Sequence, residues 1–163
     1  MGMTTRKGEL GEAMVLADLQ RKGYGVAIPF GHDLPFDLVL VRRGVFTLEK
    51  VQCKYTASDG RVLDVRCGSN SSWVRHTYEA QEVDWLAVYD ATTEQCFYLH
   101  SSTWSGMARP RLRLQKPANG QVEGIRWAAD HVVPELPAEA RSRSLRHSEA
   151  VGSIAMLSSP APE

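Results

Sequence analysis

The sequence predicts a mixed α/β domain. Three observations carry that expectation: a helical apolar pattern near the N-terminus that stops at a glycine, a series of short segments with period-2 alternation behind it, and a hairpin signal, Arg42-Arg43-Gly44, between two of those segments. Residues 7–22 read as the helix, ending at Gly23. Val15, Leu16 and Leu19 cluster on one side with Glu12, while Leu10 and Met14 point elsewhere. Such a helix carries apolar surface nearly all round and is expected to be largely covered. Residues 24–30 form a short strand leading into the polar loop Gly31-His32-Asp33. Residues 36–41 and 45–55 are the hairpin strands, and 61–67 a further short strand. Residues 68–72 (Gly-Ser-Asn-Ser-Ser) read as a loop, and 83–89 and 96–100 as two more strands. From Pro134 on, four of the eight prolines gather and no aromatic residue occurs, so residues 5–133 are expected to be the domain and 134–163 a flexible, disordered tail.

Composition narrows the class. At 163 residues, 43% hydrophobic and 23% charged, the chain matches an ordinary globular protein. That excludes a wholly disordered, collagenous or disulfide-framework chain. No apolar run approaches the roughly 20 residues a membrane helix needs, so no membrane partner is expected. Three cysteines without CxxC spacing, and an N-terminus with no apolar stretch behind its charges, point to reduced thiols and a cytoplasmic location. The five histidines are scattered, and no phosphate-binding GxxxxGK loop or Gly-x-Ser-x-Gly elbow occurs. Net charge is zero, but its distribution is uneven. Residues 42–78 carry seven Lys or Arg against three acids and residues 101–127 five against one, whereas residues 79–100 hold five acids and no Lys or Arg. Two basic blocks of this kind can form one anion-attracting face. Arg61, Arg66, Arg75, Arg109, Arg111 and Arg113 are the candidate contacts of that face.

The alternation also groups chemistry. Asp37 points opposite to Leu38 and Leu40, and Gln52 and Lys54 point opposite to Val51, Cys53 and Tyr55. A hairpin turning near Arg43-Gly44 sets Asp37 roughly opposite Gln52. One acid, one amide and one lysine thus converge within otherwise apolar strands, where charge is expensive unless paired or metal-bound. Glu12 joins them if its helix packs over the sheet. From the residues alone, two accounts fit: a structural ion pair of Glu12 or Asp37 with Lys54, or a catalytic site.

Gly-Glu at 11–12, Pro-Phe-Asp at 35–37 and Gln-Cys-Lys at 52–54 together resemble the PD-(D/E)XK nuclease superfamily. Gln-x-Lys in place of acid-x-Lys is similar to the branch of cyanobacterial group I intron homing endonucleases. The likeness continues through Glu82-Val83-Asp84-Trp85-Leu86-Ala87-Val88-Tyr89, Phe97-Tyr98-Leu99, Leu112-Arg113-Leu114, Asn119-Gly120-Gln121 and Ile125-Arg126-Trp127-Ala128, over about residues 6–131. The resemblance implies a restriction-endonuclease-like α/β/α core with a central mixed sheet. It implies Asp37 as central metal ligand and Lys54 as catalytic lysine. Glu12 would bind the metal directly or through water, Gln52 would hold the second acid's position, and the Cys53 backbone carbonyl would face the metal. The expected activity is Mg2+-dependent endonucleolytic hydrolysis of double-stranded DNA, homing- or restriction-type, by a homo-oligomer, dimer or tetramer. Trp85, Leu86, Phe97 and Tyr98 are candidate interface material, with burial within the subunit expected for at least half of them. The alternatives are a repair or junction-resolving protein of the same fold, a DNA-binding domain with a weakened nuclease site, and a purely structural α/β protein.

Overall fold

The computed structural model describes residues 3–31, 33–42, 44, 47–70, 75–77, 81–105, 107–118, 120–121 and 123–135. In chain order the elements are α1 (Met3–Arg21), β1 (Gly25–Ala27), β2 (Leu38–Arg42), β3 (Thr47–Thr56), β4 (Val62–Asp64), β5 (Gly68–Asn70), β6 (Arg75–Thr77), β7 (Trp85–Asp90), β8 (Gln95–His100), α2 (Ser101–Trp104) and β9 (Arg111–Arg113), then a 3-10 turn, Ala128–His131. Gly23, at φ +85°, ends α1 as a left-handed cap. Its N–H donates to Gln20 O (3.0 Å) and that of Tyr24 to Leu19 O (3.1 Å), which satisfies two terminal carbonyls.

The main sheet runs β1-β2-β3-β7-β8. β1, β2 and β3 pair antiparallel, with Gly44 at φ +97° in the expected β2–β3 turn. The expected strand start at Val45 lies outside the described residues. β3 pairs parallel with β7, and β7 antiparallel with β8. The sheet is therefore mixed, with β3 at its centre.

Each face of the sheet has its own core. Val15 and Leu19 of α1 pack on Leu38, Leu40, Val51, Cys53, Trp85, Ala87 and Tyr98. The opposite face, with Leu86, Val88, Phe97 and Leu99, is covered by Leu63, Val65 and Leu112 of the two-stranded β4–β9 ribbon and its flanks, by Trp104 of α2 and by Ala128. Two one-turn helices and a ribbon thus form the third layer. Trp85, Leu86, Phe97 and Tyr98 are all fully buried within the chain, so none offers interface surface. The reason is register: β7 and β8 are covered on both sides, and every apolar residue along them finds a layer to enter.

Two expectations are corrected. α1 is one-sided rather than largely covered: Gly11, Val15 and Leu19 are buried, while Leu10 is 47% exposed. Gly68–Asn70, read as loop, is strand β5 paired with β6. Small polar residues carry little strand signal, and here backbone pairing decides. The expected tail lies outside the described residues from 136 onward. Pro134 itself is buried, and its carbonyl accepts from Arg42 Nη2 at 2.6 Å.

Aspartates pin β3 to β7 at both ends of their parallel run. Asp84 Oδ2 accepts from Lys50 N at 2.7 Å. Asp90, fully buried, accepts from Ser58 N, Ser58 Oγ and Thr93 Oγ1, each at 2.8 Å, and from Thr92 N at 3.3 Å. Burial alone would raise the Asp90 carboxyl, but these bonds outweigh it and hold the group below its ordinary 3.8. Asp90→Ala leaves several donors unmatched and should lower the unfolding free energy by about 2–3 kcal/mol, read by urea denaturation near neutral pH. A depressed carboxyl contributes fully above its unfolded pKa and loses that contribution as pH falls through its folded value. The gap between wild type and variant should therefore narrow as pH drops below 3.8.

Candidate active site

β2 leaves β3 at Asp37. Its N–H still donates to Val51 O (2.9 Å), and Leu38 is the first residue in register with β3, opposite Val51. Two residues earlier stands Pro35, which has no N–H to extend a ladder. Past this point β3 runs on through Gln52–Thr56 beside β7. Where the next ladder bond to β2 would fall, the Asp37 side chain substitutes: Oδ2 accepts from Cys53 N at 2.7 Å and from Gln52 Nε2. Gln52 Nε2 also reaches Cys53 O at 3.3 Å.

Glu12 arrives from the other side of the sheet. α1 packs on the sheet, the condition on which Glu12 joins the group, but it covers the Val51–Cys53 face, whereas Gln52 and Lys54 belong to the opposite face. It meets them at the exposed edge of β3. Gly11 makes this possible, because a Cβ there would sit 3.2 Å from Tyr55 Cβ and 3.3 Å from Lys54 O. A glycine at this position lets the helix backbone approach the strand closely enough for Glu12 to enter the same cleft.

That cleft, about 430 Å³, is lined by Lys7, Gly8, Glu12, Asp37, Gln52, Cys53, Lys54 and Tyr55. All of the predicted catalytic and metal residues therefore share one cavity. Burial raises the Asp37 carboxyl, opposed by the Cys53 N–H, the Lys54 charge and the Gln52 amide. Burial also pushes the Cys53 thiol well up, and the Asp37 and Glu12 charges push it further. Cys67 rises to about 11 and Cys96 to about 12, both chiefly through burial. None of the three is poised as a thiolate nucleophile at neutral pH.

The donor set fits a hard divalent cation. Among the described residues no group of three or more His, Cys, Asp or Glu side chains gathers as a metal cluster. The cleft instead offers two carboxylates, one amide and one backbone carbonyl. Mg2+ accepts such a set, since it binds through one or two carboxylates and keeps several waters.

A second cavity of about 410 Å³ shares Lys7, Lys54 and Tyr55 with the first and extends past Thr56 to Asp64 and Arg66. Beyond it the β4–β9 ribbon gathers five of the six candidate arginines. Arg113 lies opposite Val62 and Arg111 opposite Asp64, with Arg61, Arg66 and Arg109 on the flanks. Arg61, Arg66, Arg109 and Arg111 are exposed and Arg113 is half-buried. Asp64 holds Arg111 at 3.8 Å and Arg109 at 4.0 Å. Arg75 is placed by its backbone opposite Asn70, in the β5–β6 hairpin rather than on this ribbon.

Sequence reasoning missed Lys7, whose Nζ stands 5.7 Å from the Tyr55 ring centroid and which lines both cavities. The nearest signal was Gly11, a helix-interior glycine that sacrifices propensity where the helix backbone closely approaches β3.

A family model described as PD-(D/E)XK endonuclease matches residues 3–134. The chain belongs to the PD-(D/E)XK endonuclease family, and it is a nuclease with a restriction-endonuclease-like α/β core. Among solved structures it is similar to a bacterial homing endonuclease, I-Ssp6803I, with a TM-score of 0.59 and 21% identity, covering 91% of this chain and 97% of that one. At that identity the likeness is one of fold. No curated protein matches the chain, and no described helix is long and apolar enough to cross a membrane.

The two glycines should respond differently to a methyl group. Gly8→Ala meets nothing within 4 Å and should stabilise the chain by about 0.5–1 kcal/mol through helix propensity. Gly11→Ala gains the same propensity but presses on Lys54 O and Tyr55, so urea unfolding should show no stabilisation.

Proposed function

We propose that the protein is a Mg2+-dependent endonuclease that hydrolyses phosphodiester bonds of double-stranded DNA, in a homing- or restriction-type role. The observation that supports this best is the single cleft holding Glu12, Asp37, Gln52, the Cys53 carbonyl and Lys54. Asp37, Glu12 and the Cys53 carbonyl would hold the cation, with Gln52 offering its amide oxygen. When bound, the cation supplies Lewis acidity toward a phosphate oxygen and a water of lowered pKa. Asp37 is oriented for this by the Cys53 N–H, which fixes one carboxylate oxygen against the strand. Lys54, on the same strand two residues from Gln52, places an ammonium where charge develops on the phosphate. Lys7 and Arg66, lining the adjoining cavity, carry the strand onward to the ribbon arginines.

One cleft per chain cuts one strand per visit. A two-fold homo-oligomer, dimer or tetramer, sets a cleft at each strand of a duplex. Three free, buried cysteines suit a reducing cytoplasm.

Supercoiled-plasmid cleavage tests the reading. The wild type should cut with Mg2+ and not with EDTA. Asp37→Ala and Lys54→Ala should each lose cleavage by about 100-fold or more while still folding and binding DNA in Ca2+. Near wild-type cutting by either variant refutes the assignment. DNA binding in Ca2+ should weaken steeply with salt, each phosphate contact contributing about −0.9 to the log–log slope. Arg66→Ala should flatten that slope by about one unit, and a slope near zero in the wild type refutes the nucleic-acid reading.

A further inference from the structure

Gln52 is 7% exposed, and its amide donates from one nitrogen to two oxygens, Asp37 Oδ2 and Cys53 O. On the reading above, both belong to groups that would hold the cation, the Asp37 carboxylate and the Cys53 carbonyl. An NH2 group can satisfy two acceptors at once because it carries two hydrogens at a fixed angle. A carboxylate at position 52 has no hydrogen to give, and would set a second negative charge beside Asp37 in a partly buried place. The amide thus does in the cation-free chain what the cation does in the loaded one: it joins the oxygens and relieves their desolvation.

We propose that the Gln52 amide is a placeholder for the cation, one that closes the empty site and must give up both hydrogen bonds before a divalent ion is held. Loading then requires the amide to turn its oxygen, rather than its nitrogen, toward the ligand position, or to withdraw. The consequence is a trade. Gln52 stabilises the cation-free chain and weakens cation affinity, so occupancy follows the free divalent concentration instead of being held permanently. The inference rests on the nuclease reading of the cleft, and it concerns residue 52 alone.

Mn2+ titration by calorimetry on the full chain, without DNA, separates the two. Wild type should bind Mn2+ and Asp37→Ala should not. Gln52→Glu should bind about tenfold more tightly than wild type and melt at a lower temperature than wild type in EDTA, with the larger rise in melting temperature on adding Mn2+. If Gln52→Glu binds no tighter, or melts no lower in EDTA, the placeholder role is overturned while the nuclease reading stands. If wild type binds no Mn2+, or Asp37→Ala binds it equally well, the nuclease reading fails first. Should Gln52→Glu not fold, the wild type decides. Its Gln52 side-chain amide pair, followed by 15N–1H NMR, should shift on adding Mg2+ at concentrations that calorimetry finds saturating. An unmoved amide pair with Mg2+ bound overturns the proposal.

Discussion

The hydrogen bond from Cys53 N to Asp37 Oδ2 stands where one strand of the sheet stops and a side chain continues its work. β2 pairs with β3 as far as Leu38 and Val51 and then departs. A buried backbone N–H without a partner costs free energy comparable to a lost hydrogen bond. The carboxylate of Asp37 removes that cost, and in doing so is held by the backbone rather than by a flexible rotamer. The divergence of the two strands leaves the cleft, and the residue that ends the pairing lines it. Asp84 and Asp90 repeat the device at the two ends of the β3–β7 pairing, accepting from Lys50 N and Ser58 N. All three aspartates fix β3, the strand that carries Gln52 and Lys54.

The second constraint is the approach of α1. Two apolar faces of one sheet demand two covering layers, and α1 takes the face that alternation makes apolar, with Leu38, Leu40, Val51 and Cys53. An acid on that helix reaches the opposite-pointing Gln52 and Lys54 only around an open strand edge. Gly11 supplies the missing ångströms. The cleft is therefore a product of two absences, a strand that has left and a side chain that is a hydrogen.

Charge is handled by separation. Glu49, buried at the far end of β3, is held by Arg42 (2.6 and 3.0 Å) and Trp85 Nε1 (2.5 Å), so its charge is spent internally. Asp18 likewise accepts from Tyr98 Oη at 2.6 Å. Asp18, Asp37, Glu49, Asp84 and Asp90 are engaged in structure, while Arg61, Arg66, Arg109 and Arg111 on and beside the β4–β9 ribbon stand exposed. Zero net charge is thus compatible with one basic surface, because local potential rather than the total decides what an anionic polymer meets.

Alternation by itself settled that Asp37, Gln52 and Lys54 share a face, since a strand's period of two leaves no other arrangement, and the hairpin signal at Arg42-Arg43-Gly44 set Asp37 against Gln52. The helix stop at Gly23 and the two basic blocks were equally legible, because each is a local property of residue type and order. Tertiary structure decided the rest. The parallel pairing of β3 with β7 joins segments some thirty residues apart, and nothing local encodes such a partner. Burial of Trp85, Leu86, Phe97 and Tyr98 depends on the layers that cover both faces. Strand β5, Gly68–Asn70, is made of small polar residues that carry little strand signal, and its pairing with β6 decides it. Glu12 reaches the cleft by the close packing of Gly11 on β3, a contact between surfaces that the chain brings together only when the whole sheet has formed.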